Sequence, residues 1–362
     1  MRVLVVNAGS SSLKLSLLDG NDATLEQTTL DARAGHADDT TVHRVLDGWP
    51  TPDAVGHRVV HGGTRFTAPV RVSPSARAEL ERLTALAPLH QPMSLAALDL
   101  VSGVLPSVPA VACFDTAFHA SLPPAAATYA VPAAWRQRWG IRRYGFHGLS
   151  VAWAWRRALE LVGPGLDRAV VCHLGAGCSA TAVVDGRSVD TTMGFTPLEG
   201  LVMATRSGTV DPGLVLWLQK QEGLTAGGVA LALEHESGLL ALAGTADARD
   251  VEARAQHGDS AARLAHAVFV HRVVTAVGAM AAAAGGLGAL VFTGGVGEHS
   301  APIRQAVTDR LGHLGVALDA DRNAAADGDA DVSAATSTGR VLVVTAREDR
   351  EIAAGVRATL RG

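Results

Sequence analysis

The residues from Asn7 to Lys14 read NAGSSSLK, a run of small and polar side chains that ends in a lysine. Small residues let main-chain N–H groups approach an anion closely, because they place little bulk beside the backbone. Lys14 adds a compact ammonium, and it is one of only two lysines among 31 basic residues. The segment predicts a loop that holds phosphate groups, with a tight connection that binds nothing as the alternative.

Two later segments repeat this chemistry at the ends of apolar runs. Residues 173–179 read HLGAGCS, and residues 290–298 read LVFTGGVGE. Each alone is compatible with an ordinary tight connection between elements. Three such segments in one chain favour an enzyme that handles phosphate, although the sequence has no GxxxxGK[ST] loop and no HRD or DFG set of the protein kinases.

A possible acyl site is predicted around Arg58. The segment HRVVHGG reads as a strand that enters a glycine turn, so Arg58 and Val60 share one face and His57 and His61 the other. A fixed cation beside a small apolar wall suits a short carboxylate with an alkyl tail; a surface arginine on an edge strand is the alternative. The histidines have no carboxylate or cysteine nearby in the sequence, so a zinc site is not expected.

Further candidates lie where apolar runs end or where the backbone is irregular. Asp115 follows VPAVACF, at the expected carboxyl end of a strand, and His147 in YGFHG precedes a predicted helix. Arg206 lies in an apolar but irregular segment, residues 193–213, which suggests a cleft wall with an anion partner. Asp247 in GTADARD fits either a ligand site or an ordinary helix cap.

These residues need a scaffold of strands and turns, and the sequence predicts a duplicated one. Gly175 and Gly186 repeat the spacing of Gly9 and Gly20, and each pair brackets a hairpin with an Asp-Gly turn. Helical spacing covers residues 76–86, 95–101 and 151–161, and a final helix is predicted from Glu351. Residues 319–338 read as a surface excursion.

Composition limits the class of protein. A chain of 362 residues with 48% hydrophobic and 18% charged side chains predicts a folded α/β protein of two domains. The net charge of −4 disfavours nucleic acid and anionic membranes as partners, and three cysteines without clustering, together with no evident export signal, predict a cytoplasmic location. The uncharged stretch from Val273 to Phe292 is expected to be a buried helix, a stop at Gly285-Gly286 and a strand, not a membrane anchor.

Nine motifs in one order, from residue 3 to about residue 353, make the sequence resemble the acetate kinase family. They are NAGSSSLK, GHRVVHGG, PLHQP, FDTAFH, YGFHG, HLGAGCS, DTTMGFTPLEG, TRSG and FTGGVGE. The resemblance implies a two-domain fold of the actin, Hsp70 and sugar-kinase type, with duplicated mixed-sheet cores and an interdomain cleft. It also implies a homodimer that transfers the γ-phosphoryl group of ATP reversibly to acetate, with ADP as the other product and with Mg²⁺, or Mn²⁺ in its place.

The resemblance further implies domain limits and roles for individual residues. Residues 1–118 and 350–362 are expected to form an N-terminal domain, and residues 119–349 a C-terminal domain that binds the nucleotide and dimerises. Asp115, His147 and Arg206 are implied as catalytic, with Asp115 orienting substrate or Arg58, since acetate has no proton to lose. The acyl site that the resemblance implies consists of Arg58, Val60, Leu89, His90, Phe146 and Pro197. The implied metal ligands are Asn7 and Glu348.

The resemblance also implies a nucleotide site, which draws on all three small-residue segments and on the segment GTADARD. Its residues are Ser10, Ser12, Lys14, His173, Leu174, Gly175, Ala176, Gly177, Asp247, Ala248, Arg249, Gly294, Gly295, Val296, Gly297 and Glu298.

Three departures from the family pattern keep alternatives open. Ala176 and His299 stand where the family commonly has asparagine, and TAREDRE replaces the usual segment near the end, so Glu351 rivals Glu348 as metal ligand. A longer acyl substrate such as propionate or butyrate, or another phosphoryl donor, is therefore the second hypothesis. A nucleotide-binding regulator without transfer activity is the third, and it leaves the retention of Arg58, His147 and Arg206 unexplained.

Overall fold

A computed structural model describes residues 1–9, 12–32, 38–88 and 90–361. Contacts divide the chain into two compact units. Unit 1 comprises Met1–Ala120, His147–Trp153 and Arg347–Gly362, and unit 2 comprises Ser121–Phe146 and Ala154–Ala346. Each unit is built on one six-stranded mixed sheet. The fold is therefore α/β, as predicted, whereas the finer domain limits given above stay a prediction.

The sheet of unit 1 has the order β3-β2-β1-β4-β6-β5. Strand β1 pairs with β2 in the antiparallel sense and with β4 in the parallel sense, and β4 pairs in parallel with β6. The carboxyl ends of β1, β4 and β6 therefore meet at one edge of the sheet. The strands are β1 (Val3–Ala8), β2 (Ser12–Leu18), β3 (Thr24–Asp31), β4 (Ala54–Val59), β5 (Val70–Arg71) and β6 (Ala110–Phe114).

Helices cover both faces of this sheet, which explains the unbroken apolar run of β1. Leu4 and Val6 are in a buried cluster with Ala97 and Val101 of α3, whereas Val3 and Val5 pack with α15 on the other face. The helix α15 lies very close to β4, since a Cβ on Gly56 would be 2.5 Å from the Ile352 side chain. The longer helices of unit 1 are α1 (Asp39–Asp47), α2 (Pro74–Arg82), α3 (Gln91–Val104) and α15 (Glu348–Arg361).

The sheet of unit 2 repeats this plan with the order β11-β12-β10-β7-β8-β9. Strand β7 pairs antiparallel with β8 and parallel with β10, and β10 pairs parallel with β12. The duplicated hairpin predicted from the glycine spacing is thus present as β1-β2-β3 and β7-β8-β9. The strands are β7 (Arg168–Leu174), β8 (Cys178–Val184), β9 (Arg187–Thr191), β10 (Ala289–Thr293), β11 (Ala330–Asp331) and β12 (Arg340–Val343).

The helices of unit 2 surround its sheet. The longest, α11, is long and apolar enough to cross a membrane by composition, yet its packing is that of a core helix because it contacts β7, β8 and β9. Gly285 and Gly286 follow it with positive φ, and β10 comes next, as predicted. The helices are α4 (Pro124–Ala127), α5 (Ala133–Trp139), α6 (Gly148–Val162, which starts in unit 1), α7 (Pro212–Lys220), α8 (Ala226–His235), α9 (Gly238–Ala243), α10 (Ala248–Gln256), α11 (Ser260–Ala283), α12 (Gly294–His299), α13 (Ala301–Thr308) and α14 (Ala320–Ala325).

Three local expectations are corrected by the structure. The final helix begins at Glu348, three residues before the predicted Glu351, and Glu348, Asp349 and Glu351 all lie in its first turn, where negative charge is favourable. The segment 319–338 is more than a surface excursion, since it contains α14 and β11 and buries Asn323. The residues after β10 form the short helix α12 instead of the tight connection considered above.

His57 lies on β4 in the core of unit 1 and is 1% exposed. Neither ring nitrogen has a hydrogen-bond partner in the described part of the chain. Burial lowers the pKa of His57 to about 4, although the Asp99 carboxylate acts in the opposite direction. The imidazole is therefore buried in its neutral form.

We expect His57 to make the fold sensitive to acid. The unfolded chain binds a proton on His57 near the ordinary pKa of 6.5, whereas the folded chain binds it only near 4. Protonation of His57 therefore has no effect on stability above pH 6.5, and it favours the unfolded chain increasingly as the pH falls toward 4. The loss is on the order of 3 kcal/mol at the acid end of that range. Urea unfolding of His57→Leu at pH 4.5 and pH 7 should show a shallower decline than the parent chain, with the exposed His43→Leu as the control. Equal declines in all three proteins would contradict this expectation.

Candidate functional site

Four predicted residues meet at the carboxyl edge of the sheet in unit 1. Arg58 near the end of β4 binds Asp115, which follows β6, with its Nε 2.9 Å from Oδ1 and its Nη2 2.6 Å from Oδ2. The same guanidinium donates from Nη1 to the Oδ1 of Asn7 over 3.1 Å. Asn7 Nδ2 donates in turn to Glu348 Oε2 over 3.0 Å. The parallel strands thus bring together residues that are far apart in the sequence.

The charges of this cluster are mutually dependent. Burial by itself would lower the pKa of Arg58, but the carboxylates of Asp115 and Glu348 raise it above the ordinary value. The Arg58 side chain is 19% exposed and Asp115 only 2%, so the bidentate pair is largely shielded from water. Arg58 is consequently a permanent cation with a fixed orientation, and one of its edges is held by Asp115.

Lys14 is placed beside this cluster by strand register. Lys14 of β2 is the direct partner of Asn7 in β1, so the two side chains leave the same face of the sheet. Ser12 begins β2, and Lys14 itself is exposed. The predicted residues Ser10 and Leu89 lie outside the described residues. The register carries the lysine to the same edge as Asn7, which the spacing of NAGSSSLK alone does not establish.

His147 is held close to Asp115 through the backbone. Gly148 N donates to Asp115 O over 2.8 Å, and a Cβ on Gly148 would be 2.3 Å from that oxygen, so only glycine fits. His147 has a φ of 59°, which is unusual for a residue with a side chain.

Two further residues of the predicted acyl site are in unit 1. Val60 is buried next to the end of β4, and His90 precedes α3.

A cavity of about 480 Å³ lies within unit 2, between the glycine segments and α10. It includes seven of the predicted nucleotide residues: Gly175, Ala176, Asp247, Ala248, Arg249, Gly295 and Val296. Asp247 also caps α10, accepting from the main-chain N of Arg249 over 2.9 Å, so the two alternatives for this residue are compatible. Seven further lining residues were not predicted as site residues: Ala204, Leu239, Ala246, Glu252, Phe269, His299 and Ser300.

The other predicted nucleotide residues of unit 2 do not line the cavity but belong to the same two glycine segments. His173 and Leu174 end β7, and Gly177 accepts from Gly175 N over 3.0 Å. Gly294 has a φ of 78°, and a Cβ on it would be 2.8 Å from Leu174 O, so the two glycine segments are packed against each other. Gly297 and Glu298 are in α12, which ends at the cavity-lining residue His299. At Gly294 a residue with a side chain would not fit, because the backbones of the two segments are in close contact.

Arg206 is in unit 2, within the irregular segment that precedes α7, as its sequence context predicted. Its Nε is 3.2 Å from Glu234 Oε2 in α8, with side-chain exposures of 20% and 14%. The backbone is fixed as well, because Thr205 Oγ1 donates to Glu234 O over 2.9 Å and Ser207 N to Leu233 O over 3.0 Å. Glu234 was not predicted, since nothing in the sequence pairs it with Arg206.

Pro197 and Phe146 also belong to unit 2 by contact. Phe146 is 1% exposed, and Pro197 O lies 3.4 Å from Arg206 Nη1. Arg143 holds the segment before Pro197: it donates to Glu199 Oε1 over 2.8 Å and to the carbonyls of three successive residues, Thr191, Thr192 and Met193. These contacts give an irregular segment a defined position without regular secondary structure.

Two six-stranded sheets with the same strand plan, each ending in small-residue segments, define a two-domain kinase fold. Its similarity to a putative N-acetylmannosamine kinase of Listeria monocytogenes concerns the fold alone, with a TM-score of 0.51, 12% identity and coverage of 100% of this chain and 99% of that one. The chain belongs to the acetokinase family, whose model matches residues 38–354.

Individual relatives agree with this family. An acetate kinase of Deinococcus deserti is 43% identical over 99% of this chain and 98% of that protein, and one of Synechococcus is 41% identical over the full length of both. Among solved structures, an acetate kinase of Porphyromonas gingivalis has a TM-score of 0.90 at 34% identity, covering 99% of both chains. A propionate kinase of Francisella tularensis has the same TM-score and identity, covering 98% of both chains.

Proposed function

We propose that this chain is an acetate kinase, which transfers the γ-phosphoryl group of ATP reversibly to acetate and forms acetyl phosphate and ADP. The observation that carries the proposal is the cluster of Arg58, Asp115, Asn7 and Glu348 at one sheet edge. It offers a fixed guanidinium for a carboxylate beside oxygen donors for a cation. Family membership supports the same activity.

Arg58 binds the acetate carboxylate in this proposal, and Asp115 keeps the guanidinium oriented. Asp115 is not a general base, because acetate is already ionised and both Asp115 oxygens accept from Arg58. In unit 1, Val60 is the apolar side chain that we assign to the methyl group of acetate, and His90 belongs to the same unit. An apolar wall beside one cation is the arrangement that a short acyl group requires.

Arg206 and His147 stabilise the phosphoryl group during transfer. Phosphoryl transfer passes through a loose transition state with charge on three equatorial oxygens, so catalysis depends on positioned positive charge and not on proton removal. Glu234 keeps the guanidinium of Arg206 in one orientation. The position of His147 next to the backbone of Asp115 places it in the same unit as the acyl-binding cation.

In this proposal a divalent cation, Mg²⁺ or Mn²⁺, would be held by Asn7 and Glu348. Amide and carboxylate oxygens are the ligands that these hard cations prefer, and the Asn7 amide lies next to the Glu348 carboxylate, to which its Nδ2 donates. Glu348 is favoured over Glu351 because it is Glu348 that bonds Asn7. When bound, the metal ion would neutralise phosphate charge, and Lys14, the register partner of Asn7, would supply a second positive charge beside it.

The nucleotide occupies the cavity of unit 2. Its volume of about 480 Å³ falls within the usual range for small-molecule pockets. One wall is formed by Gly175, Ala176, Gly295 and Val296, and the other by Asp247, Ala248 and Arg249. The other predicted residues of the two glycine segments, His173, Leu174, Gly177, Gly294, Gly297 and Glu298, support the first wall. Phe269 adds an aromatic surface to the lining. Ala176 contributes only backbone contacts to the phosphates.

A propionate or butyrate kinase is the second candidate function. The observation in its favour is that the Francisella tularensis propionate kinase resembles this chain as closely as the Porphyromonas gingivalis acetate kinase does, at 34% identity each. One methylene group in an apolar pocket changes discrimination by only about 1–3 kcal/mol, so the acyl preference depends on small differences in the pocket wall.

The proposed function is tested by a coupled assay of the purified chain. Acetate, propionate and butyrate are combined with ATP, GTP and pyrophosphate, and acyl phosphate is trapped with hydroxylamine. We expect the highest kcat/KM for acetate with ATP. A higher value for propionate would select the second candidate, and no turnover with any pair would support a binding protein without transfer activity.

The assembly is proposed to be a cytoplasmic homodimer. The supporting observation is an apolar surface on α7 and α8, where Leu214, Leu216, Trp217 and Leu231 are 45%, 53%, 50% and 53% exposed. Exposed apolar side chains that lie together mark protein interfaces. Sedimentation equilibrium of Trp217→Glu should give monomers where the parent chain gives dimers.

A further inference from the structure

Arg304 of α13 is buried to an extent that is rare for an arginine. It is 1% exposed, and it is among the largest fully buried side chains of the described residues. Moving a guanidinium out of water is costly unless its N–H groups are all bonded. Burial lowers the pKa of Arg304, and the Glu252 carboxylate acts in the opposite direction. Such a residue is expected to serve a purpose that a smaller apolar side chain would not.

Four hydrogen bonds fix the guanidinium in unit 2. Nη1 donates to Gly297 O over 2.9 Å and to Glu298 O over 2.6 Å. Nη2 donates to Asn323 O over 2.9 Å, and Nε to Asn323 Oδ1 over 2.7 Å. Every partner is an uncharged oxygen, so these hydrogen bonds fix the orientation of the guanidinium and do not neutralise its charge.

Asn323 in turn is fixed from the other side. Its Nδ2 donates to Ala301 O over 2.9 Å, its main-chain N donates to Asp319 O over 2.9 Å, and its side chain is buried. The helices α13 and α14 are thereby joined through one amide. Arg304 therefore projects from a rigid base toward α12, and it cannot rotate away without breaking several buried bonds.

The two carbonyls that Arg304 holds belong to the last turn of α12. Carbonyls at a helix end have no intrahelical partner, and in this short helix the arginine provides one. Carbonyl oxygens repel phosphate, so their direction matters in a segment proposed to contact a nucleotide. Glu298 is held from a second side, because its Oε1 accepts from Ala346 N over 3.0 Å.

We propose that Arg304 is a positioning residue for nucleotide binding: it turns the carbonyls of Gly297 and Glu298 toward the interior and so sets the shape of the segment from Gly294 to Glu298. This inference rests on the proposed function, in which that segment contacts the phosphates of ATP and ADP. Arg304 does not itself touch the substrate, since it lies beneath the wall of the cavity.

The test compares Arg304→Met and Arg304→Lys with the exposed Arg322→Met, which lies next to Asn323. We expect Arg304→Met to raise the KM for ATP and the Kd of MgADP, measured by calorimetry, by at least about tenfold, since each bond of a charged donor that is lost has an effect of that order. Arg304→Lys should recover part of the affinity. The KM for acetate should stay within about twofold, and Arg322→Met should match the parent chain.

A second variant covers the case in which Arg304→Met does not fold. Asn323→Ser removes the partner of Nε and leaves Arg304 in place, so we expect a smaller rise in the Kd of MgADP and faster hydrogen exchange of the amides of residues 294–299. Parent-like MgADP affinity in a folded Arg304→Met, or in Asn323→Ser when only that variant folds, would overturn the proposal. An equal rise in the KM values of ATP and acetate would also overturn it, because that pattern indicates general loosening.

The failure of this proposal can be told apart from failure of the proposed function. The binding measurement with MgADP needs no turnover. A parent chain that transfers phosphate normally while the Arg304 variants bind MgADP normally refutes only the role of Arg304. A parent chain that neither turns over nor binds MgADP refutes the proposed function, and this inference with it.

Discussion

Replacing Arg206 by alanine is expected to lower kcat for acetyl phosphate formation by about 10³-fold or more, which is the range for a cation that acts on a transferring phosphoryl group. The KM values for acetate and ATP should change far less, since the contact is made mainly in the transition state. Stopped assays with hydroxylamine trapping measure the effect. Full activity of the variant would exclude Arg206 from the reaction.

Two further variants separate the role of Arg206 from a role in folding. Arg206→Lys keeps a positive charge but cannot reproduce the guanidinium geometry beside Glu234, so we expect partial recovery of kcat. The exposed Arg187→Ala in the same unit removes a cation of equal size and should leave kcat unchanged. Thermal unfolding checks that the variants fold. Arg187→Ala should keep the parent Tm, whereas Arg206→Ala should have a lower Tm because it removes the ion pair with Glu234, whose side chain is only 14% exposed.

Loss of Arg58 is the second large effect. Arg58→Ala removes the proposed partner of the acetate carboxylate and leaves Asp115 as a buried carboxylate without its guanidinium, so activity and stability should both fall. Breaking such a pair commonly costs about 3–5 kcal/mol of unfolding free energy, and we expect kcat/KM for acetate to fall by at least about 10³-fold.

The milder variants distinguish binding from folding at this site. Asp115→Asn keeps the shape and loses the charge that orients Arg58, so we expect the KM for acetate to rise by about 10- to 100-fold, with a smaller loss of stability. Arg65→Ala is a matched control, since its ion pair with Glu79, at 3.2 Å, is on the surface, where Arg65 is 69% exposed. Acetate kinetics of Asp115→Asn that match those of Arg65→Ala would refute the orienting role of Asp115.

Much of the fold could be predicted because it depends on patterns of neighbouring residues. The apolar runs of β1 and β7 and the small residues that follow them are visible as patterns, and their equal spacing from the Asp-Gly turns predicted the duplicated hairpin. The carboxyl half of α11 and its glycine stop were predictable for the same reason, since composition changes sharply at Gly285, whereas the start of this helix at Ser260 was not predicted.

Other features were not predictable because their cause lies elsewhere in the chain. The segment 319–338 looked like a surface excursion by composition, but Asn323 is buried because Arg304 bonds it, and no local pattern reports that pairing. The ion pair of Glu234 with Arg206 was likewise not predictable from the residues around Glu234. It forms only because α8 packs beside the irregular segment that contains Arg206.

The sequence by itself determined the types of chemistry available: a lysine after small residues, an arginine beside a small apolar residue, and carboxylates at the ends of apolar runs. These depend on residue type and local spacing, which the chain carries without folding. Only the tertiary structure decided that Asn7, Arg58, Asp115 and Glu348 form one connected cluster, because parallel pairing of β1, β4 and β6 and the packing of α15 on that sheet join residues from both ends of the chain.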